Sequence, residues 1–78
     1  MTAGLPALKP KEVIKTLEKL GWYRKRQTGS HVIMVNEKLH RILPVPSHNK
    51  DLKKGTLNGI IKRTGLSKEK FLELREKR

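Results

Sequence analysis

Residues 22–46 read WYRKRQTGSHVIMVNEKLHRILPVP, and the punctuation of this stretch decides the fold. His31-Val32-Ile33-Met34-Val35 is rich in β-branched residues and ends at Asn36, which predicts a strand. Gly29-Ser30 before it is turn chemistry. Trp22 to Thr28 alternates only weakly, and it gains its strand assignment as the other arm of that hairpin. Glu37-Lys38-Leu39 makes a second turn, and His40 to Pro46 a third strand. Pro44 and Pro46 cannot donate to a ladder, so the third strand belongs at a sheet edge. The expected result is a three-stranded antiparallel meander. If Asn36 pairs near His40, the register sets His31 opposite about Val45. His31 and His48 then lie toward one end of the sheet, and His40 toward the other.

Helices flank this core. From Pro10 to Leu20, Val13, Ile14, Leu17 and Leu20 recur at helical spacing, while Lys11, Lys15, Glu18 and Lys19 cover the remaining surface. Pro10 suits the first helical position, and Gly21 suits the residue after the end. Ser47 to Gly55 is a polar loop. A second helix is predicted from about Thr56 to Thr64, with Leu57, Ile60 and Ile61 inward and Gly65 as its stop. Ser67 caps a last helix from 68 to about 77, carrying Phe71, Leu72 and Leu74. The class is α+β, two layers, with helices on one sheet face. Residues 1–8 read as a flexible N-terminal arm, too short and lacking the basic start for a signal peptide. Residues 9–78 form one domain.

Composition narrows the functions open to such a domain. The chain has 78 residues, with 19 Lys+Arg against 7 Asp+Glu and a formal net charge of +12. One small core leaves no room for an interdomain cleft. Cysteine is absent, which excludes disulfides, thiolate metal sites and a cysteine nucleophile. A fold without disulfides suits a reducing cytoplasm, the expected location, and no run is long enough to span a membrane. Charge of this size on a small domain favours a polyanionic partner. Arg24, Lys25 and Arg26 are consecutive on the first strand, and Lys50, Lys53 and Lys54 precede the second helix. Lys53 and Lys54 adjoin a helix N-terminus, where backbone N–H groups already favour anions. The chain has one Trp, one Tyr and one Phe, too few for an open stacking platform.

Most catalytic templates are missing. The chain has no glycine-rich phosphate loop and no Gly-x-Ser-x-Gly elbow. With no Cys, a zinc site would need three or four other convergent ligands. Most of the few carboxylates fall on helix surfaces, which argues against a two-metal nuclease. No metal or organic cofactor is expected. A nuclease built from this chain would use a histidine for proton transfer and Lys or Arg for phosphate charge. The residues alone do not choose among His31, His40 and His48.

Several motifs in order do suggest a family. Gly29-Ser30-His31 follows a basic strand, and Val45-Pro46-x-His48 comes later. Then comes Leu52-Lys53-Lys54-Gly55-Thr56-Leu57-x-x-Ile60-Ile61. The opening Val13-Ile14-x-x-Leu17-x-x-Leu20-Gly21-Trp22 completes the set. This ordered set resembles the HicA (YcfA-like) toxins from residue 9 to about 74, with Lys9-Pro10 in place of the more usual polar cap. The resemblance implies a fold like the double-stranded-RNA-binding domain, α-β-β-β-α. It implies the toxin half of a toxin–antitoxin pair, an endoribonuclease that cleaves mRNA and is silenced by a HicB-type antitoxin covering its active site. By that resemblance His31 is the catalytic residue. An imidazole with a reference pKa of about 6.5 can take a proton from the RNA 2′-OH near neutral pH. Arg24, Lys25, Arg26, Ser30, His48, Lys50, Lys53 and Lys54 are the expected RNA-binding residues. Ser30 either bonds a phosphate or satisfies the turn, and the leaving-group acid is water, His48 or a lysine. Two other readings stand beside this one. One is a non-catalytic double-stranded-RNA-binding module, and the other a basic docking surface for an acidic protein.

Overall fold

The computed structural model describes residues 6–48 and 50–76. The order is α1 (Pro10–Lys19), β1 (Tyr23–Thr28), β2 (His31–Asn36), β3 (Arg41–Pro46), α2 (Lys54–Thr64) and α3 (Lys68–Glu76). The three strands form one antiparallel sheet in the order β1-β2-β3, so the proline-bearing β3 is an edge as expected. No described helix is long and apolar enough to cross a membrane.

Local chemistry sets the helix ends. At the start of α1 the Glu12 carboxylate accepts the Lys9 backbone N–H at 3.0 Å, one half of a capping box. At its end Trp22 N–H reaches Leu17 C=O at 3.0 Å, and Gly21 N–H reaches Glu18 C=O at 3.2 Å. This paired closure needs a left-handed residue, and Gly21 supplies it with φ of 92°. Ser67 caps α3 as predicted, its hydroxyl accepting Lys70 N–H at 3.2 Å. Gly65 ends α2.

The core lies between the helices and one sheet face. Val32, Met34, Leu43 and Val45 point into it from β2 and β3. Val13, Ile14 and Leu17 meet them from α1, Leu57, Ile60 and Ile61 from α2, and Phe71 from α3. Successive strand residues alternate faces, so His31, Ile33 and Val35 point to the other, helix-free side.

Four expectations need correction. His31 pairs with Pro46, not Val45, and Val32 pairs with Val45. The cause is the second turn, which holds residues 37–40. Asn36 Oδ1 accepts Leu39 N–H at 3.0 Å, and His40 closes the turn with φ of 54°. His40 is therefore a turn residue, and β3 starts at Arg41. The observed register also buries Val32 and Val45 side by side, which pairing His31 with Val45 would forbid. Third, α2 begins at Lys54, two residues before the predicted start. Fourth, Leu8 of the expected arm is buried in the core, and its C=O accepts Leu52 N–H at 2.8 Å. Residues 1–5 of the expected arm, and the end of the last helix beyond 76, lie outside the described residues.

Candidate functional site

The site begins at a two-residue turn. Thr28 and His31 face each other across Gly29-Ser30. Gly29 has φ of 54° and Ser30 lies outside the left-handed region. That is the type II′ pattern, which wants glycine first and whose twist matches the flanking strands. The turn delivers His31 as the first residue of β2, exposed on the helix-free face. Its imidazole makes no hydrogen bond among the described residues. Ser30 C=O accepts Ser47 N–H, stitching the turn to the end of β3. The Ser30 hydroxyl has no partner among the described residues, so the turn does not need it.

The basic strand divides between two faces. Arg24 pairs with Met34 and Arg26 with Ile33, so Lys25 is an extra, bulged residue. Residues directly opposite share a face. Arg24 therefore goes with Met34 to the helix side, and Arg26 goes with Ile33 and His31 to the open side. The three consecutive cations are not one patch.

His48 and His31 lie toward the same end of the sheet, as expected, but on different sides of it. A cleft of about 600 Å³ opens between α1 and β1 on the helix side. His48 lines it with Arg24, Lys11, Lys15, Gln27 and Ser47. The His48 Nδ1 accepts Lys50 N–H at 3.2 Å, which holds the polar loop against that mouth. Lys53 is the N-cap of α2 and Lys54 its first residue, both exposed. No side chain caps this end and its first turn carries no acid. Lys50 is exposed in the preceding loop.

A model of the HicA toxin of bacterial toxin–antitoxin systems matches residues 10–66. This chain belongs to the HicA toxin family. It is the toxin of a toxin–antitoxin pair, and its partner is a cognate antitoxin. Among curated proteins none matches it at a significant level. The matched range holds every sequence-derived site residue and stops before α3. The HicA-family match thus covers the sheet, α1 and α2, while Phe71, a core residue, lies beyond it.

Among the described residues, the cations singled out in this HicA-family toxin are not neutralised by ion pairs. Ion pairs among the described residues include Lys70 with Glu73, Arg75 with Glu12 and Arg75 with Glu76. None involves Arg24, Lys25, Arg26, Lys50, Lys53 or Lys54. A second basic group forms at the far end of the sheet. Arg41 donates to Arg63 C=O at 2.6 Å, and Arg63 donates to Ile42 C=O at 2.9 Å. Sequence reading missed Lys11, Lys15 and Gln27 as cleft residues. Their one available signal was the i,i+4 spacing of Lys11 and Lys15 beside Ile14.

Proposed function

We propose that this toxin is a metal-independent endoribonuclease that cleaves mRNA with His31 in acid–base catalysis. The observation that carries the reading is an exposed imidazole at the head of β2, without a hydrogen-bond partner among the described residues and sharing its face with Arg26. It lies within the stretch matched to the toxin family. In the proposed step His31 removes the proton of an RNA 2′-OH. That oxygen then bonds to the adjacent phosphorus. The bond to the 5′-oxygen breaks, leaving a 2′,3′-cyclic phosphate, and the departing oxygen takes a proton. His48 lies at the same end of the sheet on its other side, and the leaving-group proton comes from water, His48 or a lysine. Cations supply charge for the phosphorane-like transition state, with Arg26 on the His31 face. Two of the carboxylates are engaged elsewhere: Glu12 with Lys9 and Arg75, and Glu37 with Tyr23. Silencing is assigned to a HicB-type antitoxin that covers the open face.

The test is degradation of total RNA in the presence of EDTA. The wild-type chain is expected to cleave. His31→Ala is expected to lose at least about 10²-fold in rate while keeping its circular dichroism spectrum, because the residue is exposed. Cleavage that survives His31→Ala overturns the assignment. Intact RNA with a mobility shift makes the protein a binder and not a nuclease.

A further inference from the structure

We infer that the cleft between α1 and β1 seats one nucleotide of the RNA, next to the phosphate presented to His31. This rests on the ribonuclease reading and extends it to substrate recognition. The volume of about 600 Å³ lies within the usual range of small-molecule sites, about 300–1,000 Å³. The lining has the two chemistries a nucleotide needs. Ile14 and Val32, both buried, contribute an apolar floor against which a base can lie. Lys11, Lys15 and Arg24 bring three cations to the walls, and none of them makes an ion pair or side-chain hydrogen bond among the described residues. Among the described lining residues Glu18 is the one carboxylate, so their summed charge is positive.

Base recognition is also provided for. The Gln27 amide makes one long bond, Nε2 to Gly29 C=O at 3.5 Å, which leaves its oxygen open. A primary amide offers both a donor and an acceptor to a base edge. Continuity with His31 comes from the Ser30–Ser47 stitch. Ser47 lines the cleft, and its N–H binds the residue directly before His31. A strand passing over this rim would place one phosphate on the open face and its neighbouring nucleotide in the cleft.

The experiment uses isotope-labelled His31→Ala protein, titrated by NMR with the ribonucleoside monophosphates of A, G, C and U, and separately with inorganic phosphate. The expected result is saturable amide shifts at Lys11, Lys15, Gln27 and Ser47, tighter for nucleotides than for phosphate and unequal among the bases. Lys11→Glu with Lys15→Glu is expected to weaken binding at least about tenfold, since each removes a charge-assisted contact. Gln27→Ala is expected to flatten the ranking of bases. Binding no tighter than phosphate, or insensitive to the charge reversal, overturns the inference. So does a cleft that responds to the antitoxin and not to nucleotides. No cleavage is measured, so the two readings fail separately. Nucleotide binding without wild-type nuclease activity removes only the reaction. Nuclease activity without nucleotide binding in the cleft removes only this site.

Discussion

Tyr23 is the chain's single tyrosine, and its hydroxyl donates to Glu37 Oε2 at 2.9 Å. That hydrogen bond, then desolvation, then the Glu37 charge raise the phenol's pKa above its usual 10.0. The sign follows from where the proton is held more tightly. The folded state keeps it longer than the unfolded chain does, so the contribution to stability is fully present below the unfolded pKa. It is lost as pH rises through the folded one. Glu37→Gln is expected to move the phenolate absorbance midpoint down toward the ordinary value. An unchanged midpoint would show that the carboxylate has no hold on the phenol. At the same scale, Gly29-Ser30-His31 was legible in sequence because a two-residue turn and its neighbours are local. That the imidazole stands free on the open face was not legible, since that depends on what packs around it.

Among the elements, α3 gives the core one large side chain from the least obvious sequence. Phe71 is fully buried, and the helix is otherwise mostly charged. Lys19 of α1 donates to Leu74 C=O at 2.9 Å, satisfying a carbonyl near the end of α3. Phe71→Ala is expected to cost about 3–5 kcal/mol, a large share of the roughly 5–15 kcal/mol that holds a small domain folded. Urea unfolding followed by tryptophan fluorescence would measure it, and a loss under about 1 kcal/mol would mean that α3 is dispensable to the core. β1 teaches a different lesson. All six of its residues are exposed, so it carries no inward hydrophobic pattern, and hairpin chemistry alone revealed it. Its bulge at Lys25 left no mark in the sequence, yet it alters which cations share a face.

At the scale of the whole molecule the charge is +12, and the cations of β1 and of the start of α2 make no ion pair among the described residues and lie on both sides of the sheet. Binding of single-stranded RNA by the His31→Ala protein is therefore expected to fall steeply with salt, with a log–log slope near −0.7 per phosphate neutralised. Lys53→Gln with Lys54→Gln, at the uncapped start of α2, is expected to make that slope shallower by about 1.4 if both contact phosphate. A slope unchanged in the double variant would take α2 out of the interface. The order of elements, the edge position of β3, the caps at Gly21, Gly65 and Ser67 and the basic character were readable along the chain. Each depends on residues within a few positions of one another, where periodicity and turn chemistry act. The pairing of His31 with Pro46, the parting of Arg24 from Arg26, and the meeting of Lys11 and Lys15 with His48 were settled only by tertiary structure. A turn conformation and a single bulged residue change which side chains share a face. Residues more than thirty positions apart meet only once the core has packed α1 against the sheet.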